Sequence, residues 1–300
     1  MTKTATEPVQ YIDDTARSGS HVEHFSLPMS GTMFDYFREI AHVHAGITIA
    51  DYKKAMVCRR VAKRLRALAI DSFEEYRAFL ESPFGESELE PLINALTTNK
   101  TEFFREDHHF AHLAKTVLPR VIFRAAETGR RRLRIWSAGC STGQEPYTIA
   151  MTVAEALRGQ GAWDAKILAT DIDTEVLAFA REAIYGPDDL VTLPPAYTKT
   201  YTHAVPGRAS HRRIDGALRQ MVTFKPLNLH GSWPMKGPFD VIFCRNVIIY
   251  FDRPHQEILF DRFAALLPAG GVLYCGHSES LVGITNRFRP SGRSIYEKTK

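Results

Sequence analysis

The sequence is poor in cysteine and has no cysteine pair. Cys58, Cys140, Cys244 and Cys275 are scattered, without a C-x-x-C spacing. That argues against a thiolate metal site and a disulfide frame, and fits a reducing compartment. Long apolar runs are also missing. The longest, such as 241–244 and 247–249, fall far short of a membrane span. The opening MTKTATEPVQYIDD lacks the apolar core of a signal peptide. The expectation is a cytoplasmic chain with no direct membrane insertion. Neither sign of charge is in large excess: 38 Lys and Arg against 34 Asp and Glu leave +4, too little to demand nucleic acid. No internal repeat or low-complexity segment is visible.

What is present is an ordinary globular composition, 44% hydrophobic and 24% charged over 300 residues, enough for one large domain or two ordinary ones. Residues 1–28 are polar and aperiodic and read as a flexible tail. From 29 to 98 the periodicity is helical. Asp71-Ser72-Phe73-Glu74 reads as a capping-box start for a helix through Leu80, which Ser82-Pro83 ends. Residues 99–130 read as a linker and connecting helix, 107–128, stopped by Gly129. From 131 to 300 the pattern alternates. Strands are expected at 133–137, 166–170, 222–225, 239–244 and 271–275, with helices at 145–157, 174–183 and 254–267 between them. The closing FRPSGRSIYEKTK adds a strand or hairpin. Alternation of this kind is the signature of an α/β fold, an open parallel sheet with helices on both faces. The stretch about 185–222 interrupts it. Rich in Pro, Tyr, His and Arg, and with Asp215-Gly216 read as a hairpin turn, it is expected to be a small inserted β-subdomain.

In such a sheet ligands sit beyond the carboxyl ends of the strands. The first strand runs into Ser137-Ala138-Gly139-Cys140-Ser141-Thr142-Gly143, followed by Gln144-Glu145-Pro146. The spacing is not G-x-G-x-x-G. Glu145 also stands where a pyrophosphate would need backbone amides and no negative charge. A cationic ligand suits it better. The second strand ends at Asp171, whose carboxylate can accept from two ribose hydroxyls. Asn228 follows the third strand; Arg245, Asn246 and Tyr250 follow the fourth. S-adenosylmethionine, with an ammonium, a sulfonium and a ribose, fits this set. On Glu145 alone, a first-turn acid beside Pro146 at a helix start is an equal reading.

INALTTNKTEFFRE, WSAGCSTGQEPYTIA, ATDIDTEVLAFAREAIYG, FKPLNL, FDVIFCRNVIIYFD and GHSESL together resemble the chemotaxis-receptor glutamate methyltransferases of the CheR type, over about 34–298. The resemblance implies a helical N-terminal domain and a Rossmann-like methyltransferase domain with an inserted β-subdomain. It also implies cofactor contacts at Asn99, Thr101, Arg105, Glu145, Asp171, Asn228, Leu229, Arg245 and Asn246. Read without it, TTNKTEFFRE is a capped helix start with Phe103 and Phe104 in the core. The implied reaction forms a methyl ester on glutamate, releasing S-adenosylhomocysteine. A carboxylate of pKa about 4.3 is already ionised at neutral pH and needs no general base. Arg105 and Tyr250 are expected to hold the oxygen that does not attack.

DYKKAMVCRRVAKRLRALAI carries seven basic residues and one acid, Asp51. Wound as a helix, it puts Val57, Cys58, Val61, Ala62, Leu65, Leu68 and Ala69 on one face and Arg59, Arg60, Lys63, Arg64 and Arg66 on the other. Solvated faces usually mix signs, so this one is expected to dock an acidic target. In the family that is the Glu-rich helical region of a methyl-accepting chemoreceptor's cytoplasmic domain. The helix has no interleaved aromatics for stacking bases. The place after the fourth strand reads Arg-Asn-Val-Ile, where amino-methyltransferases of nucleic acids carry prolines and an aromatic. His108 and His112 are spaced i,i+4 but have no third ligand in view, so no metal is expected. A monomer is expected. The competing functions are a non-catalytic cofactor-binding signalling module, a nucleic-acid methyltransferase and, least, a nicotinamide oxidoreductase.

Overall fold

The computed structural model describes residues 28–299. The tail expected at 1–28 therefore lies, apart from Pro28, outside the described residues. Four helices come first: α1 (Gly31–Ala45), α2 (Lys54–Leu68), α3 (Phe73–Leu80) and α4 (Glu86–Leu96). They close on Phe37, Val57, Val61, Leu65, Tyr76 and Leu92, all buried. Ser72, not Asp71, caps α3: its hydroxyl accepts from Glu75 N at 3.1 Å, while the Glu75 carboxylate reaches back to Asp71 N at 3.4 Å.

The connecting helix is one rod with a fault in it. α5 (His108–His112) passes through a π-helical turn, Leu113–Val117, into α6 (Leu118–Thr128). Pro119 gives the reason. It has no N–H for the preceding turn and its ring crowds the carbonyl four residues back, so the helix widens there. Gly129 ends α6 at φ 70°.

Next come β1 (Arg132–Ala138), α7 (Gln144–Leu157), β2 (Asp164–Asp171) and α8 (Thr174–Glu182). The interrupting segment holds β3 (Ile184–Tyr185), α9 (Pro187–Leu190), α10 (Pro195–Tyr201), β4 (Thr202–Val205), β5 (Arg208–Ile214) and α11 (Gly216–Met221). β6 (Val222–Pro226), β7 (Val241–Cys244), α12 (Arg253–Leu266), β8 (Val272–Cys275), β9 (Phe288–Gly292) and β10 (Ile295–Lys298) complete the chain. The main sheet runs β6-β2-β1-β7-β8-β10-β9. Its first five strands are parallel, and the closing hairpin is antiparallel. The α/β architecture expected from the alternation is the one observed.

The apolar runs are explained by burial on both faces. Leu133, Ile135, Val241, Phe243, Val272 and Tyr274 pack with α5–α7 on one side. Trp136, Ala138, Ile242, Cys244, Leu273 and Cys275, the alternate positions, pack with α12 on the other. The Trp136 indole N–H finds Thr170 Oγ1 at 2.9 Å, so the largest buried ring leaves no polar atom unpaired.

A small antiparallel sheet, β3-β5-β4, stands in the interruption. One expectation about it is corrected. Asp215-Gly216 is not a hairpin turn; Asp215 caps α11, its carboxylate accepting from Ala217 N at 2.7 Å. The hairpin turns at Pro206-Gly207, where Gly207 has φ 75°. Asp followed by Gly serves either structure; here the helix that follows decides.

Candidate functional site

Strand order reverses between β1 and β7, so their carboxyl ends splay and leave a crevice. The helical unit lies over it: Asn228 Nδ2 donates to His44 O at 2.6 Å, and Thr48 N to Tyr250 O at 2.7 Å. The cleft between them encloses about 990 Å³ of atom-free space, part of it open to solvent. Asn99, Thr101, Arg105, Glu145, Asp171, Asn228, Leu229, Arg245, Asn246 and Tyr250 all line it. Residues from five separate stretches of chain thus meet in one place. Neither histidine nor cysteine is among the described residues lining the cleft.

The loop after β1 is built for close approach. Gly139 has φ 80°, and a Cβ there would meet Val247 Cγ2 at 2.2 Å. Ser141, also left-handed at φ 49°, turns its N–H to Asp171 Oδ2 at 2.8 Å and its hydroxyl to Asn99 O at 2.7 Å. The loop, the tip of β2 and the interdomain segment are therefore tied together.

Glu145 does not behave as a mere first-turn acid. Its Oε1 accepts from Ser137 Oγ at 2.6 Å and its Oε2 faces Arg245 Nη1 at 3.3 Å. Both partners come from strand ends, so the carboxylate is held toward the crevice. Burial pushes its pKa up, against the pull of Arg245 and of the Ser137 hydroxyl. Arg245, itself almost fully buried, also faces Glu106 Oε2 at 3.7 Å and donates to Arg105 O. Its guanidinium is thus engaged by protein groups and orients Glu145. Burial alone would raise the Glu106 pKa, but Arg245 and His277 outweigh it and hold it down. Beside them, burial and then Arg245 push the pKa of His109 down to about 3, which keeps that imidazole neutral.

Asp171 accepts one main-chain N–H on each oxygen, Ser141 at 2.8 Å and Asp173 at 3.1 Å. A carboxylate has about four lone-pair sites, so each oxygen can still accept a ligand hydroxyl. Burial raises its pKa to about 6 despite those N–H groups.

Between the domains, 103–107 is a run of turns rather than a capped helix start at Thr101. Phe103 is fully buried and Phe104 packs against the same core. Phe104 and Glu106 both have φ 55°, a conformation that costs on the order of 1–3 kcal/mol for a non-glycine residue. Arg105 lies between these two left-handed residues, its Nη1 on Lys100 O at 2.9 Å. Asn99 Nδ2 donates to Asp173 Oδ2 at 2.6 Å, so its amide is engaged by the protein and fixes the segment against the cap of α8.

One residue at this site was not singled out by sequence reasoning. Glu279, in the GHSESL stretch, is buried. Its Oε1 accepts from Ile248 N at 2.8 Å and Ile249 N at 3.3 Å. Its Oε2 accepts from Asn246 N at 3.0 Å and from Gly276 N. The carboxylate clamps the loop that runs from Asn246, at φ 60°, to Tyr250. Because its partners are main-chain groups, no residue pattern advertises them. An acid in the loop just past the end of a parallel strand is the one available signal.

Part of the basic face of α2 is engaged by the protein. Arg60 donates to Leu96 O at 2.8 Å, Thr97 O at 2.7 Å and Thr98 Oγ1 at 3.2 Å, closing the end of α4 where the chain enters the cleft. Arg64 makes a two-pronged pair with Glu88, 2.8 Å on each oxygen, and Tyr76 Oη donates to the same buried acid at 2.7 Å. Of the five expected docking cations, Arg59, Lys63 and Arg66 are exposed, while Arg60 and Arg64 are half-buried and hold the structure. A helical projection shows which face a residue is on, not what packs above it. His108 and His112 bond Arg293 O and Tyr274 Oη at 3.1 and 2.9 Å.

Two family models divide the chain: "CheR methyltransferase, all-alpha domain" matches 32–97, and "CheR methyltransferase, SAM binding domain" matches 99–296. The chain belongs to the CheR methyltransferase family. Its relatives include a "Probable chemotaxis protein methyltransferase" of Rhizobium etli, 46% identical over 240 residues, covering 80% of this chain and 89% of that one. The "Chemotaxis protein methyltransferase" of Klebsiella aerogenes is 42% identical over 278 residues, covering 91% and 92%, and that of Escherichia coli 41% over 282 residues, covering 91% and 93%. This CheR-family chain is an S-adenosylmethionine-dependent methyltransferase. The cleft fits that cofactor: a buried acid for a cation, lone pairs on Asp171 for hydroxyls, and a glycine cradle that a Cβ would fill. Among the described residues no helix is long and apolar enough to cross a membrane.

Proposed function

We propose that this cleft methylates glutamate side chains of a chemoreceptor's cytoplasmic domain, leaving a methyl ester and S-adenosylhomocysteine. When bound, the cofactor supplies a methyl group made electrophilic by its sulfonium. Glu145 pairs with the ligand's ammonium, Asp171 accepts from the ribose, and Asn99, Thr101, Asn228, Leu229 and Asn246 shape the walls. Arg245 keeps Glu145 charged and aimed.

The observation that carries the reading is the absence of a histidine or cysteine base among the described residues lining the cleft. An amine or hydroxyl nucleophile must lose a proton as it reacts; a glutamate carboxylate has already lost it at neutral pH. Glu145 and Asp171 lie at the cofactor end, and Glu102 is exposed. Besides the exposed Lys100 and Arg245, which is paired with Glu145, the ionisable lining residues that remain are Arg105 and Tyr250, two hydrogen-bond donors. They hold the resting oxygen of the incoming carboxylate and leave the other to attack in line. Holding the reactants in line can supply up to about 7–11 kcal/mol. Tight pairing of the attacking oxygen would oppose the step, because charge disappears as carboxylate meets sulfonium.

Arg59, Lys63 and Arg66 give the acidic receptor helix a landing surface on α2. The relatives named as chemotaxis methyltransferases, alike over most of their length, support a receptor as substrate. A soluble cytoplasmic monomer suits this role. The test is incubation of the full chain with methyl-tritiated cofactor and receptor cytoplasmic fragments, followed by mild base. Volatile labelled methanol is expected. Label that resists base, or label on nucleic acid instead, would overturn the proposal.

A further inference from the structure

Beside the cleft, three imidazoles and a carboxylate meet where the helical unit joins the methyltransferase domain. His42 lies on α1, His230 follows β6, and Asp252 and His255 open α12. The ring of His255 is 5.4 Å from that of His42 and 4.8 Å from that of His230, centroid to centroid. One ligand atom from each of His42, Asp252 and His255 lies within 4.8 Å of the other two. We propose that His42, Asp252 and His255, with His230 as fourth ligand, bind a zinc-type divalent transition metal that staples the two domains together.

The donor set is the argument. Imidazole nitrogen with one carboxylate oxygen suits zinc and its neighbours, not calcium or magnesium. Asp252 caps α12 with Oδ1, accepting from His255 N at 3.1 Å and lying 2.5 Å from His255 Nδ1. Its second oxygen leaves it able to ligate without losing the cap. Tetrahedral zinc with Zn–N of about 2.0–2.1 Å puts ligand atoms about 3.4 Å apart. The ligand atoms of His42, Asp252 and His255, now within 4.8 Å of one another, must close by up to about 1.4 Å, within reach of side chains whose second torsion is broad, and the exposed His230 turns in from beside His255. Arg262 on α12 is turned onto Leu229 O and Gly231 O at 3.0 and 2.6 Å and stacks on Trp233, and Arg253 onto Glu257 and Gly283 O. In sequence these ligands span more than two hundred residues, and only the D-x-x-H of 252–255 is local.

The test uses the full chain, stripped with chelator, then titrated with zinc ion and, in parallel, with cobalt ion as a visible probe of tetrahedral geometry. One equivalent should bind. At a hundredfold excess over Kd the melting temperature should rise by about 5–10 °C and return with chelator. His42→Ala and His255→Ala should each weaken binding by more than the roughly 10–100-fold that loss of an outer-shell partner costs. Asp252→Asn keeps the helix cap and should weaken binding likewise, so a folding defect cannot imitate the result. Unchanged affinity in Asp252→Asn and His255→Ala, no stoichiometric binding, or a six-coordinate cobalt spectrum would overturn the proposal. Binding of S-adenosylhomocysteine by the stripped chain is measured separately and is expected to persist.

Discussion

Glu279→Gln offers a sharp test of how the catalytic loop is held. The native carboxylate accepts four main-chain N–H groups, two on each oxygen. Glutamine keeps the shape but replaces one oxygen by an NH2 donor. Whichever way the amide turns, two buried N–H groups lose their acceptor and face another donor. At about 1–3 kcal/mol for each unsatisfied group, the loss is about 2–6 kcal/mol. The lower end applies if the loop relaxes, and relaxation is what moves Tyr250. The melting temperature should fall by at least about 4–8 °C, at roughly 2–4 °C per kcal/mol. Misplacing Tyr250 by about an ångström should lower kcat by about 100-fold. Cofactor affinity should fall less, because Glu145 and Asp171 do not rest on this clamp. Thermal denaturation, titration with S-adenosylhomocysteine and steady-state methyl transfer read the three quantities. A variant with melting unchanged and kcat within about twofold of wild type, a difference below 0.5 kcal/mol, would refute the reasoning.

Arg64→Ala should destabilise the helical unit by about 3–5 kcal/mol, because it strands the buried Glu88; thermal melting checks this. Arg60→Ala should weaken S-adenosylhomocysteine binding by releasing Leu96–Thr98. The double Arg59→Ala, Arg66→Ala should leave stability within about 0.5 kcal/mol and raise KM for receptor alone. Equal effects from the two groups would mean that α2 acts as one surface. Affinity for S-adenosylhomocysteine should fall with pH below about 6, by up to about tenfold per unit. The sign follows from Asp171. Its free-protein pKa is raised to about 6; the ligand needs it ionised as an acceptor; protonation therefore competes with binding on the acid side, and above that value the affinity is flat. Glu145, also raised, acts in the same direction, and a titration flat from about pH 8 to 5 would contradict both. Gly139→Ala should abolish measurable cofactor binding, since its Cβ would enter Val247 and its φ is positive; near-normal affinity would show that the loop can give way.

The sheet was legible because both its faces are buried, which makes β1, β2, β7 and β8 read as apolar runs ended by polar tips. The residues at those tips could be named from the same rule, since the fold brings every parallel strand's carboxyl end to one edge. Arg105 and Asn99 were not legible this way. They lie outside any strand, and only the family resemblance pointed to them. Failures came where tertiary partners decide. Arg60 and Arg64 looked like free cations because α4 is invisible to a helical projection of α2. Asp215-Gly216 looked like a turn because the same pair also opens a helix. The π-turn before Pro119 follows from proline chemistry that the periodicity hides. Glu279 speaks only to main-chain groups, and the histidines at the domain junction are neighbours only after folding.

The central claim is that an already ionised carboxylate is the nucleophile. Tandem mass spectrometry of a receptor cytoplasmic fragment, before and after reaction with this chain and cofactor, tests it most directly. The account predicts a methyl group on glutamate side chains that mild base removes, and its loss with Arg105→Ala at saturating cofactor. A base-stable methyl on lysine, arginine or a hydroxyl residue would contradict it.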